Sequence, residues 1–318
     1  MIALNNECKH ENHRKHGRTP DGKQRYRCRD CGTTFTRETQ LLDGMRIGPE
    51  RAAKIIELLC EGMSVKATAR VTDTDEKTIF NLLVLVGERC KDFMLRKVRQ
   101  VIVDDIQIDE IWSYIFCKEK TRERKNLSFE FGDCYTAVER STKMIVCWHY
   151  GKRDSYHTER FAEKLRDATA GHFHLSSDGW NAYKTAIPNA LAGRIDYGQI
   201  IKIFGADPKA DQTRYSPAAI KEIKKTVIWG NPDEDRICTS HNERHNGSMR
   251  NFIRRMTRLA YCFSKKAVNH EAMLGLYFLH YNFCRKHRSL KGDTPAMAQG
   301  FADDVWSVQE LIERTSTK

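Results

Sequence analysis

The chain lacks any run of the ~18 uninterrupted apolar residues that a membrane-spanning helix needs. An integral membrane protein is therefore set aside, and no membrane partner is expected. Its first residues, MIALNNECKHENHRKHG, hold no apolar signal-peptide core, so a cytoplasmic chain is expected. No internal repeat or low-complexity tract interrupts it, which sets aside repeat arrays and disordered linkers. There is no disulfide framework either. Of eleven cysteines only Cys8, Cys28 and Cys31 group together, and the scattered remainder reads as reduced core cysteine. What the chain does have is length and positive charge. Its 318 residues suffice for two or three domains, and 40% hydrophobic content allows a packed core. A net charge of +12 points to a polyanionic partner, of which nucleic acid is the commonest.

The strongest local signal is QRYRCRDCGTTFT. Cys28 and Cys31 form a C-x-x-C knuckle, Gly32 relaxes the turn, and Phe35 packs beneath it. Tetrahedral zinc takes four soft ligands, and Cys8 supplies a third. No second cysteine follows Cys8 at the usual spacing, so a histidine must complete the set. His13 is preferred over His10, because a five-residue reach bends around an ion more easily than Cys8-x-His10. A segment this small and polar needs such a staple. A zinc ribbon over residues 1–40 is the expectation, against the alternative of a redox or core C-x-x-C.

Residues 45–98 carry helical periodicity. Ile55, Ile56, Leu58 and Leu59 form one apolar face, Gly62 ends the turn, and Ser64 caps a short second helix. After TDTDE a third helix runs from about Glu76 through Ile79, Leu82, Leu83 and Val86. Helix, short helix, turn, helix is the helix-turn-helix outline, with Lys77, Thr78 and Asn81 facing the major groove. A plain three-helix linker is the alternative.

From residue 101 the period changes. VIVDDIQIDEIWSY alternates around Ile106, Ile108 and Ile111, which sets Asp109 on the face opposite Ile108. CYTAVERS and KMIVCWHYG predict a hairpin, a helix follows over about His157 to Asp167, and HFHLSS predicts a strand that ends at Asp178. Three antiparallel strands, a helix and a parallel strand, with acids on the first and fourth strands, outline an RNase H-like α/β domain over 101–290. Residues 187–238 are read as a β-rich insertion, IDYGQIIKIFG and KEIKKTVIWG being strands around the polar loop GADPKADQTRYSP. From Thr239 the helical period returns, with Met249, Phe252, Ile253, Met256, Leu259 and Ala260 on its buried face. Glu243, Asn246 and Arg250 share another face. Arg244, Arg250, Arg254, Arg255, Arg258, Lys265 and Lys266 follow with no acid among them. Tyr277, Phe278 and Tyr281 are expected in the core of a last long helix, Ala267 to Cys284. Pro295 closes the ordered pattern, and 291–318 is a C-terminal tail.

A cluster of carboxylates on a basic protein is a place to hold divalent metal against phosphate. Asp109, Asp178 and Glu243 are the candidates, with Asp104, Asp105 and Glu110 as alternatives to Asp109. As structural readings, Asp178 caps the turn before Trp180, Trp180 is core, and Glu243 pairs with Arg250.

Taken together, RYRCRDCGTTF, GMSVKATARVTDTDEKTI, DEIWSY, SSDGWNAY, YGQIIKIFG, RYSPA, GNPD, TSHNERHNGSMRNFIRRMTRLAYCFSKKAVNH and YNFCRKHRSL resemble, in this order, the Asp-Asp-Glu transposases of bacterial insertion sequences, of the insertion-sequence-one type. The resemblance covers nearly the whole chain. It implies a zinc ribbon and helix-turn-helix that bind transposon ends, and an RNase H-like domain that cuts and joins DNA with two Mg2+ (or Mn2+) ions. It carries the catalytic acids onto Asp109, Asp178 and Glu243, and the basic residue after the Glu onto Arg250. Arg254 is a further DNA contact in this reading. Double-stranded DNA, as ends and target, is the implied partner. At least a dimer is required to hold two ends, and the location is the nucleoid. A catalytically silent DNA-binding regulator and a nuclease that cuts without joining are the alternatives.

Overall fold

In a computed structural model, residues 8, 10–20, 22, 24–36, 41–42, 45–117, 119–125, 131–205, 220–257 and 260–316 are described. Most of GADPKADQTRYSP, together with Arg258 and Leu259, lies outside them. The N-terminal unit is a three-stranded sheet, β1 (His13–Arg18), β2 (Gln24–Cys28) and β3 (Thr34–Phe35), in that order.

Three helices follow: α1 (Pro49–Cys60), α2 (Val65–Thr72) and α3 (Glu76–Lys97). Their starts are chemically marked. Pro49 opens α1, where its missing N–H costs nothing. Ser64 Oγ accepts from Ala67 N at 3.2 Å to start α2, and the Asp75 side chain accepts from Lys77 N at 2.8 Å to start α3. Gly62, at φ 79°, makes the turn between α1 and α2.

The larger unit is mixed α/β, built on a six-stranded sheet. Its strands are β5 (Asp105–Tyr114), β6 (Phe131–Glu139), β7 (Ile145–Gly151), β9 (Phe173–Ser177), β10 (Ile195–Phe204) and β11 (Ile220–Trp229). The order is β11-β10-β9-β5-β6-β7. β5, β6 and β7 pair antiparallel, β9 lies parallel to β5, and β10 lies parallel to β9. A short parallel pair, β4 (Val101–Ile102) and β8 (Thr169–Ala170), stands apart. Helices α4 (Glu119–Lys125), α5 (Ser155–Ala168), α6 (Tyr183–Leu191), α7 (Ser240–Phe252) and α8 (Ala267–Phe283) complete this unit with α9 (Pro295–Ala298) and α10 (Val308–Ser316).

Three features differ from the sequence reading. β10 joins the main sheet beside β9, so the stretch taken as an insertion at 187–238 extends the central sheet instead of forming a small sheet of its own. A near-continuous apolar strand such as IDYGQIIKIF fits a position between two neighbours. The helix carrying Glu243 stops at Phe252, and the chain turns through Ile253 into a 3-10 turn over Arg254–Met256. Met249, Ile253 and Met256 stay buried across this break, because a spacing of four and three is satisfied by a tight turn as well as by a helix. Pro295 opens α9 at its first turn, and Trp306, Leu311 and Ile312 beyond it are buried. Trp306 lies 4.3 Å from Phe283, ring centre to ring centre.

The helical layer and the sheet layer meet along α3 and α8. A Cβ on Gly87 would stand 2.1 Å from the Ala272 carbonyl oxygen, and one on Gly275 would stand 2.6 Å from that of Gly87. The two helices therefore cross backbone to backbone. Tyr277 and Phe278 are buried in this core, and Tyr281 is 7% exposed, as the sequence suggests.

Candidate metal centres and acid cluster

Cys8, His10, Cys28 and Cys31 offer ligand atoms that all lie within 4.8 Å of one another. The two sulfurs of Cys8 and Cys28 are 3.5 Å apart, and Cys31 Sγ lies 3.3 Å from His10 Nδ1. Ligands about 2.0–2.3 Å from a tetrahedral ion stand under 4 Å apart, so the set fits zinc. Hydrogen bonds from the Thr33 side chain and backbone bring the Cys31 thiol down to about 6, favouring the thiolate that binds metal. His10, and not the preferred His13, completes the cluster. The Cys8-x-His10 reach that looks too tight in sequence is made by a left-handed backbone at His10, φ 54°. His13 sits in β1 opposite Cys28. Its Nδ1 lies 2.8 Å from the His10 carbonyl oxygen, and its ring stands edge-on to Tyr26 and Phe35.

The second cluster forms where β9 ends beside the middle of the parallel strand β5. Ile108 pairs with Ser177 between β5 and β9, so Asp109 and Asp178 follow side by side. Asp109, Glu110 and Asp178 bring carboxylate oxygens within 4.8 Å of one another. Successive strand residues point to opposite faces, and Asp178 sits where both β5 acids can reach it.

On one face, Asp109 Oδ1 accepts from Glu110 N at 2.9 Å and Oδ2 accepts from Asn246 Nδ2 on α7 at 2.8 Å. Asn246 Oδ1 is buried without a hydrogen-bond partner among the described residues. Helix α7 is seated on the sheet by polar bonds. Gln107 Oε1 accepts from His241 N at 2.8 Å, and Asn242 Nδ2 donates to the carbonyls of Gln107 and Thr136, each at 3.0 Å. On the other face, Glu110 Oε2 accepts from the Tyr183 hydroxyl at 2.9 Å, and Oε1 is in contact with Arg153.

Burial, reinforced by the Glu110 and Asp178 charges, pushes Asp109 up to about 8. Burial and the Asp178 charge, opposed by Arg153, push Glu110 up to about 7. Negative charges crowded this closely are a ready-made seat for a cation. Glu243 stands outside the tight cluster, though near enough that its charge also raises Asp109. Its Oε1 accepts from Lys202 Nζ at 2.5 Å and from Thr239 Oγ1 at 2.7 Å. Against its partial burial, these bonds hold Glu243 below the usual carboxylate range.

Sequence reasoning passed over three residues here: Arg153, Lys202 and Asn246 as a partner of Asp109. Only Asn246 carried a signal, its helical spacing from Glu243. Asp104 and Asp105 lie elsewhere, paired with Arg236, so they leave the contest. Trp180 is half-buried, donates Nε1–H to Thr158 Oγ1 at 3.2 Å, and carries the Arg153 guanidinium 4.3 Å above its ring. The expected Asp178 cap is present, with Oδ1 accepting from Trp180 N at 3.0 Å. Lys77, Asn81 and Arg254 are exposed, and Thr78 and Arg250 are half-buried. Among the described residues no helix is long and apolar enough to cross a membrane.

No family model matches the chain, and no curated protein matches it. Among solved structures it is similar to the protein in "Cryo-EM structure of piggyBac transposase synaptic complex with hairpin DNA (SNHP)", at 9% sequence identity. The TM-score is 0.35, with 84% of this chain and 70% of that one covered. A likeness at that level establishes neither a shared fold nor a shared activity, so the functional case rests on the chain's own residues.

Proposed function

We propose that this chain is an Asp-Asp-Glu transposase of the insertion-sequence-one type. It binds the ends of an insertion element, cleaves DNA and transfers the strand to target DNA. The observation that carries the reading is that Asp109, in the middle of β5, and Asp178, just past the end of the parallel strand β9, bring their carboxylates together, with Glu243 on α7 near enough to act on Asp109. Three antiparallel strands followed by two parallel ones is the order of an RNase H-like domain, which supports the same reading. The N-terminal Cys/His cluster supports a zinc ribbon, and the capped α2–α3 turn supports a helix-turn-helix with Lys77, Thr78 and Asn81 in the groove.

Asp109 and Asp178 would hold divalent cations, and Glu243 joins them once Lys202 gives way. Bound magnesium supplies nucleophile activation and stabilises the leaving oxygen. Hard carboxylate oxygens suit Mg2+ or Mn2+. The chain's own part is to fix these oxygens. Asn246 orients Asp109, the Asn242–Gln107 bonds set the height of α7 on the sheet, and Arg250 and Arg254 face phosphate. At least two copies must hold the two ends, and the nucleoid is where this chemistry belongs.

The test is a strand-transfer assay with a pre-cut end and the unmodified protein, beside Asp109→Asn, Asp178→Asn and Glu243→Gln. The unmodified protein should join the end with Mg2+ or Mn2+, and each variant should bind DNA but fail to join. A Glu243→Gln protein joining at the normal rate overturns the assignment of Glu243. An unmodified protein that binds ends but neither cuts nor joins is the catalytically silent regulator.

A further inference from the structure

Arg153 follows β7 and precedes the Asp154 cap of α5, and no sequence motif marks it. Yet it reaches two acids of the cluster and the ring beside them. Its guanidinium is in contact with Glu110, lies 3.7 Å from Asp178 Oδ2, and covers the Trp180 ring at 4.3 Å. The Glu110 side chain is only 4% exposed, against 38% for Asp178. Both Glu110 oxygens are engaged, one by Arg153 and the other by Tyr183. The Asp178 carboxylate stays open to a hydrated cation, whereas the Glu110 charge is already matched by Arg153, so Glu110 serves as the interior anchor of the arrangement. The Asp178–Trp180 turn is gripped from other sides as well, by Thr158 at the Trp180 indole and by Gln199 Nε2 at the Trp180 carbonyl, 3.2 Å away.

We propose that Arg153 is a positioning residue for Asp178: tied inward to Glu110 and set over the Trp180 ring, it holds the Asp178 turn against β5 so that the Asp178 and Asp109 carboxylates face one cation. This rests on the reading of the cluster as a divalent-cation site. A planar guanidinium can do this where an ammonium cannot, because it pairs at its edge and stacks on its face at once.

Two roles predict opposite signs for metal binding. If Arg153 acted only as a nearby positive charge, its removal would strengthen cation binding, since like charges repel. If it positions Asp178, removal weakens binding, by about tenfold or more for a residue that orients a ligand. The experiment is Mn2+ titration of the full chain, read by the loss of the free-ion electron paramagnetic resonance signal, with no DNA present. Arg153→Ala should bind about tenfold more weakly, and Arg153→Lys should fall between it and the unmodified protein. The double variant Glu110→Gln, Arg153→Ala leaves no buried charge without a partner, so it separates positioning from loss of fold. It should also bind weakly. Unchanged or tighter binding in the double variant, with binding lost in Asp178→Asn, overturns the role of Arg153 alone. Unchanged binding in Asp178→Asn overturns the cation site itself, and the Arg153 role with it.

Discussion

Asp109→Asn should destabilise the protein slightly in acid and stabilise it in base. Asp109 ionises at about 8 in the folded chain, against 3.8 without that environment. Between those values the folded state holds a proton that the unfolded state has lost, so stability falls as pH rises through the interval and levels off above it. At about 1.4 kcal/mol for each pH unit, the ionised carboxylate costs several kcal/mol at pH 9. The amide escapes that cost. It gives up one of two acceptors, because Glu110 N and Asn246 Nδ2 both donate to Asp109, a loss of about 1–3 kcal/mol. The variant is thus the weaker protein near pH 5 and the stronger one near pH 9. Thermal unfolding of both proteins at half-unit steps from pH 5 to 9, without added divalent cation, reads the crossing. Added Mn2+ should raise the unmodified protein at high pH far more than the variant, since a ligand stabilises only the state that binds it. Unfolding temperatures that run parallel across the whole range would refute the argument, because the buried carboxylate would then carry no penalty.

Three further outcomes are expected. Protein purified without added zinc should hold about one equivalent by metal analysis, falling to none in Cys28→Ser, Cys31→Ser; His10→Ala should lose it too, while His13→Ala keeps it. In the transposase reading, replacing Lys77 and Asn81 with Ala should weaken binding to the element's own ends more than to unrelated DNA in gel-shift titrations, and all binding should fall steeply with salt. Gly87→Val should lower the unfolding temperature by several degrees in scanning calorimetry, since the side chain would enter the Ala272 backbone.

Much of this molecule is legible in its sequence because local chemistry decides it. Ser64 caps the helix it seems to cap, a third helix starts at Glu76 after TDTDE, and CYTAVERS and KMIVCWHYG lie in neighbouring antiparallel strands. Asp109 and Asp178 meet because each ends or interrupts an apolar strand that must find a partner in the sheet. What escaped reading depends on the third dimension. Nothing local says that IDYGQIIKIF will lie beside β9 instead of starting a separate sheet. The choice of His10 over His13 turns on one left-handed residue, a conformation rare outside glycine. Arg153 is invisible because its partners, Glu110 and Trp180, are distant in the chain and nothing in its own neighbours announces them.

The backbone crossing of α3 and α8 has a mechanical consequence. The same helix carries Lys77 and Asn81 on its exposed first turns and is locked to α8 at Gly87. Its 22 residues make a rod about 33 Å long. In the transposase reading, one end grips a sequence and the other is bolted to the body that holds the acids. Such a rod acts as a caliper: the distance from recognised bases to the cut phosphate becomes a fixed count of base pairs. Lengthening α3 by one helical turn between Asn81 and Gly87 should then move the cut along the DNA rather than abolish it.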